Sequence, residues 1–231
     1  MRKRHIVGLV FTTVFAVVVV SAASAFAATE WQLNAKPITS ATATTTTGKF
    51  LLEDMNSITK VDIECNVTFD GSVGPGAADE ITKILNSAGV EEKAENLAKV
   101  IEPSINCEIV SKGSCEEANK SKIILFPFHL PWKSELLLPS GETRVDDLRA
   151  GTGGEPGYEY TCKAVLLGNV TDVCTGTPGS VMTNETGGVN SVFEEAEPFN
   201  PPGNCSIGGE KETLFVGSGL VSSPAGTLTV S

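Results

Sequence analysis

Val61, Ile63, Cys65, Val67 and Phe69 stand on alternate positions of the run ITKVDIECNVTFD, five apolar side chains at a period of two. That period puts them on one face of an extended strand and the residues between them on the other. The segments KFLLEDM, SINCEIV, KSKIILFPF, WKSELLL, ETRVDDL, GYEYTCKAVLLG, ETLFVGSGLVSS and GTLTVS read as further short strands. Many short strands set off by turn residues predict an all-β chain: an antiparallel β-sandwich first, a partly closed β-barrel second. ITSATATTTTG, rich in β-branched residues, suits an exposed strand, with a flexible linker as the alternative. DGSVGPGAAD is a Gly- and Pro-rich turn. One segment breaks the pattern: GVEEKAENLAKVIEP sets Val90, Ala94, Leu97, Ala98 and Ile101 at helical spacing, with acidic residues at its start and Pro103 at its end. It predicts a short helical insertion near 90–101. Turn formers dominate residues 175–211, which are expected to be loop-rich.

The first 27 residues have the order of a secretory leader: Arg2, Lys3 and Arg4, an apolar run from Ile6 to Val20, then small residues ending SAASAFAA. Cleavage is expected after Ala27, with Ala25 as the runner-up, leaving one β domain over 28–231. Without the three basic residues of the leader, 14 basic residues face 28 acidic ones, a formal charge of −14. Such a surface repels phosphate backbones and anionic lipid heads, so nucleic acid is not an expected partner. Nothing after the leader approaches the 18 consecutive apolar residues of a membrane-spanning helix.

Cys65, Cys107, Cys115, Cys162, Cys174 and Cys205 all lie beyond the leader, even in number and bound for an oxidising compartment. Three disulfides are expected, although the sequence permits fifteen connectivities. CEIVSKGSC and CKAVLLGNVTDVC each place two cysteines across a turn, which favours Cys107 with Cys115, Cys162 with Cys174, and Cys65 with Cys205 as the long-range bridge. No C-x-x-C pair is present to begin a zinc site, and no spaced Asp/Asn loop fixes a calcium shell, so neither a metal nor another cofactor is expected.

His129 is the one histidine outside the leader, and any Ser-His-Asp or Cys-His machinery would have to pass through it. It sits in ILFPFHLPWKSELLL, where Pro127 and Pro131 each remove a ladder donor. Two strand halves, 123–126 and 132–138, are expected to meet at a bend carrying His129 and Trp132, a possible surface-binding corner. No catalytic residue is assigned. Paired carboxylates among Glu135, Asp146, Asp147 and Glu159 are the enzymatic alternative, in the manner of a glycoside hydrolase. A loop held between Cys107 and Cys115 and presenting Lys112, as in an inhibitor, is the third reading.

The segments WQLN, IECNVTFDGSVGPGAADEITKI, CEIVSKGSCE, HLPWKSELL, YEYTCKAVLLGNVTDVCTG, CSIGGE and GTLTVS follow one another in this order. In that order they resemble a group of exported proteins of high-GC Gram-positive bacteria with no assigned activity. The resemblance implies export, disulfides and a β fold, and carries over no functional residue. The leading expectation is a non-catalytic extracellular or cell-envelope domain that binds a wall polymer, a glycan or a protein.

Overall fold

The computed structural model describes residues 29–55, 61–86, 89–91, 107–110, 124–140, 143–164, 168–194, 200–207 and 209–231. The leader, most of the expected helix at 90–101, and Cys115 lie outside these residues. Among the described residues every regular element is a strand.

Eight antiparallel strands close into a barrel. In order around the wall they are β3 (Thr42–Asp54), β4 (Asp62–Val73), β5 (Asp79–Asn86), β8 (Trp132–Ser140), β9 (Thr143–Arg149), β12 (Gly179–Glu185), β13 (Gly188–Phe193) and β15 (Gly209–Ser222). Pairing of β13 with β15, from Val189↔Val221 to Phe193↔Gly217, completes the ring. The all-β expectation therefore holds, while the architecture is a closed barrel with extra strands where a sandwich was placed first. Eight strands leave an interior just wide enough for side chains to fill. Antiparallel closure removes the open edges that a flat sheet of this size would expose.

Three smaller elements complete the molecule. β1 (Trp31–Leu33), β2 (Lys36–Pro37) and β16 (Leu228–Val230) form a three-stranded sheet that brings the two ends of the described chain together. A side sheet of β14 (Gly203–Cys205), β11 (Gly168–Thr175), β10 (Gly157–Ala164) and β7 (Ile124–Phe128) grows from the start of β15. β6 (Cys107–Ile109) pairs with the start of β4. ATATTTT belongs to β3, as its β-branched residues suggest, and the period-two run lies in and just before β4 with Val61, Ile63, Cys65 and Phe69 buried. The stretch expected to be loop-rich, 175–211, contains two barrel strands, β12 and β13, as well as β14.

The outer wall is polar where β3 meets β4: Thr45 donates to Asp70, Thr47 bonds Thr68, and Lys49 pairs with Glu64 at 2.6 Å. A lipid-facing barrel presents an apolar band in such positions. Inside, the Phe50 ring stacks on Phe215 at 5.0 Å and meets Phe69 and Phe193 edge-on. Gly217 makes room for this packing: at φ 145° a Cβ there would come within 2.8 Å of the Phe50 Cα and 2.4 Å of the Lys49 carbonyl oxygen.

The disulfides differ from the expected set. Cys65 is bonded to Cys107 and Cys174 to Cys205, each with Cα atoms 4.1 Å apart. All three expected pairs, Cys107–Cys115, Cys162–Cys174 and Cys65–Cys205, are thereby excluded, since each contains a cysteine bonded elsewhere. The reason is register. Cys65 lies directly opposite Cys107 on β4 and β6, and Cys174 opposite Cys205 on β11 and β14. Within the β10–β11 hairpin, Cys162 faces Val170, and Cys174 faces Tyr158, so the two hairpin cysteines are out of step. The pairs sit in a second core, with Leu52, Val61, Ile63, Tyr158 and Tyr160, between the side sheet and the barrel strands. Replacing Cys65 and Cys107 together by alanine releases a 42-residue loop. The expected cost is about 2–4 kcal/mol in urea unfolding; an unchanged midpoint would show that register alone holds β6.

Candidate functional site

Strand pairing determines which side chains enter the lumen. On β8, Trp132, Ser134 and Leu136 are buried, while Lys133 and Glu135 alternate with them on the outer face. Residues opposite one another share a face, so Asp79 of β5 comes inward beside Ser134. On β9, Leu148 lies opposite Ser134, and Asp146, two residues before it, points the same way. Ser180 of β12 faces Asp146, and Ser191 of β13 faces Met182. Thr44 and Thr46 of β3 and Ser72 of β4 reach the same space from the far wall. Asp79, Ser134, Ser180 and Ser191 are each at most 5% exposed.

These residues make a polar belt between two apolar layers. On one side lie Phe50, Phe69, Phe193, Trp132 and Leu148. On the other the three-stranded sheet acts as a plug: Trp31, Leu228 and Val230 pack with Val73, Leu136, Met182, Val189 and Val221 of the barrel. The Trp31 indole N–H donates to Asp79 Oδ2 at 2.6 Å, and the Gly74 amide donates to Asp79 Oδ1 at 2.7 Å. Asn184 of β12 adds two backbone bonds to Val230, each 2.8 Å long. The belt leaves about 50 Å³ of space open to water.

Two carboxyl groups share this interior. Burial pushes Asp146 up to about 7, and the charge of Asp79 adds to the shift, as does that of Asp147, against the lowering effect of the neighbouring Ser134 hydroxyl. Burial likewise raises Asp79 to about 6, with Glu135 adding to it and the Gly74 and Trp31 bonds opposing it. The Asp146 carboxyl is wholly buried although the residue as a whole is only half-buried, and its Oδ1 has no partner among the described residues. Arg144, two positions before Asp146, also has a shielded Nε without a partner.

The carboxylates proposed from the sequence are dispersed. Only Asp146 enters the lumen. Glu135 and Asp147 are on the outer wall, both paired with Arg149. Glu159 is on β10 in the side sheet, where partial burial raises its carboxyl. The corner residues are also separated. His129 adopts φ 61° at the turn between β7 and β8, beside a cis Leu130–Pro131 peptide, and its Nδ1 bonds the Glu155 carbonyl oxygen at 2.9 Å. Trp132 is buried at the start of β8, with Nε1 donating to the Phe128 carbonyl oxygen. The proline bend thus lies where the two strand halves were expected to meet, and Pro127 falls within β7, at the end of the side sheet.

Asp79, Ser134, Ser180 and Ser191 are not among the residues expected from the sequence to form a site. Ser134 had a legible signal: in WKSEL it interrupts an inward Trp-x-Ser-x-Leu stripe. Asp79 had none, because it lies at the end of a turn cluster whose polarity has an ordinary explanation.

Trp132, Leu148 and Phe215 also line a second space of about 50 Å³, between the barrel wall and the side sheet, together with Tyr158, Pro178 and Pro201. Around it, Tyr158 and Thr213 hydroxyls bond at 2.6 Å, and the Tyr160 hydroxyl donates to Asp54. Asp172 lies close to Cys174 and Cys205, but those two sulfurs bond each other and are not free as ligands.

The fold and this interior define a closed antiparallel barrel with a plugged, acid-containing lumen. No family model, curated protein or solved structure matches the chain.

The two lumen acids give the pH dependence of stability a defined sign. Folded values above the ordinary 3.8 mean that the folded chain holds more protons than the unfolded one, so stability falls as pH rises through about 6 and 7. In metal-free buffer the melting temperature is expected to fall between about pH 5 and pH 8. Asp146→Asn should flatten that decline and stabilise the protein at pH 8 by about 2–4 kcal/mol. A variant less stable than wild type at pH 8 would contradict the placement of Asp146.

Proposed function

We propose that this chain is an exported, non-catalytic β-barrel domain that binds a partner outside the cell or at its envelope. The disulfides point to an oxidising environment. The observation that carries the reading is the separation of the candidate carboxylates. Glu135 and Asp147 are neutralised by Arg149 on the outer wall, Glu159 is on another sheet, and Asp146 is inside. Asp79 and Asp146, the two acids inside the barrel among the described residues, have the raised proton affinity that acid catalysis uses. Their surroundings do not suit a polymer substrate: about 50 Å³ under a plug compares with roughly 300–1,000 Å³ for ordinary ligand pockets. The inhibitor reading loses its basis, because Cys107 is bonded to Cys65 and no Cys107–Cys115 bridge closes the loop.

The contact point we favour is the space between the barrel and the side sheet. Trp132, Tyr158, Pro178, Pro201 and Phe215 make an apolar socket that fits one apolar side chain or methyl-bearing group of a wall component or protein. Trp132 keeps the binding role expected from the sequence, whereas His129 serves the turn. The acidic surface argues against anionic polymers. Purified protein is expected to be retained on uncharged wall, glycan or envelope-protein fractions, and Pro201→Glu, an exposed substitution at the socket rim, to reduce retention at least tenfold. Retention of the wild type on none of these fractions would overturn the binding role, and equal retention of the variant would overturn the socket.

A further inference from the structure

We propose that the socket between the barrel and the side sheet receives the acetamido group of an N-acetylated amino sugar, with the methyl among the apolar walls and the amide N–H donating to Asn200 Oδ1. This rests on the binding role proposed above and names the group that is bound.

The walls are apolar, and the polar groups set into them are matched with one exception. Trp132, Leu148 and Phe215, together with Pro156, Pro178 and Pro201, line about 50 Å³ of space. The prolines offer no N–H, and the carbonyl oxygens of Pro156 and Pro178 accept from the Gly176 and Leu148 amides at 2.9 and 3.0 Å. The Tyr158 and Thr213 hydroxyls bond each other. Asn200, which lines the same space and is 1% exposed, is the exception. Its Nδ2 donates to the Glu194 and Phe215 carbonyl oxygens at 2.9 and 2.8 Å. Turning the amide over would set its oxygen against two acceptors, so the orientation is fixed. Oδ1 is left shielded from solvent and without a partner among the described residues. A buried acceptor in that condition costs free energy that an incoming donor recovers.

The fitting occupant is a small apolar group that carries its own donor. An aliphatic side chain fills the walls and leaves Oδ1 unpaired, and a sugar hydroxyl brings a donor without apolar surface. A phenol or indole is too large, since benzene takes a cavity of about 150 Å³. An acetamido group joins a methyl to an N–H, and it is uncharged, which avoids the repulsion that the acidic surface exerts on anionic polymers. The sugar ring stays outside, at the exposed Pro201 next to Asn200 in the chain.

The test changes the ligand first, because Asn200 also holds two backbone carbonyls. Disulfide-intact protein is titrated by calorimetry and saturation-transfer NMR with the trimer of N-acetylglucosamine, with the glucose trimer of the same linkage, and with an analogue bearing acetyl esters in place of the acetamides. The acetyl methyls of the first trimer should receive the strongest saturation. The glucose trimer and the ester, which keeps the methyl and lacks the N–H, should each bind about tenfold more weakly or worse, and so should the first trimer to Pro201→Glu. No binding of the acetylated trimer, equal affinity for either analogue, or equal affinity for N-acetylalanine methylamide would overturn the inference. Retention on envelope-protein fractions that Pro201→Glu abolishes, without binding of the trimer, would overturn the sugar and leave the binding role standing; retention on no fraction would remove both.

Discussion

Closure of the ring by β13 and β15 is the constraint on which the rest of the molecule depends. Five residue pairs, from Val189↔Val221 to Phe193↔Gly217, join the last barrel strand to one far from it in the wall order. With that seam made, the eight strands have no free edge, and every second side chain is committed to a narrow interior. The seam needs close backbone approach: a Cβ on Gly188 would lie 2.1 Å from the Val221 carbonyl oxygen. Glycines that resemble turn residues in the sequence thus serve the pairing of strands.

Once the interior exists, its contents follow from side-chain parity. The aromatic layer fills one part with Phe50, Phe69, Phe193 and Trp132, and the plug fills another with Trp31, Leu228 and Val230. The belt between them holds groups that prefer water, so its energetics are dominated by desolvation of Asp79 and Asp146. A barrel seeking only stability would place hydrophobic residues there, as replacement of buried charges by well-packed apolar groups is often neutral or stabilising. Retaining two acids in the lumen carries a cost. The plug is tied to the same chemistry, since Trp31 donates directly to Asp79.

The strands were legible in the sequence because their signals are local. The alternation through Val61 to Phe69 marks β4, and the prolines of ILFPFHLPW mark the bend between β7 and β8. Strand order was not legible: β5 pairs with β8 and β9 with β12 across long intervening segments, and nothing within either strand names its neighbour. The disulfides failed for the same reason. Cysteines close in sequence seemed natural partners, yet the hairpin register puts Cys162 opposite Val170, and the bonded pairs are those that strand order sets face to face. Of the site, Asp146 was named only as one acid among several. It became distinct once parity put Asp146 inside and its neighbour Asp147 outside, a one-residue difference that composition does not carry.

The central claim, that Asp79 and Asp146 share a polar belt inside a closed barrel, is tested most directly by carbon-13 NMR titration of the side-chain carboxyls in aspartate-labelled protein, prepared without metal. Two aspartates should titrate near 6 and 7, with the higher value assigned to Asp146 by its loss in Asp146→Asn. Titration of both groups at ordinary aspartate values, about 4 or below, would contradict the account, since it would place the two carboxyls in water.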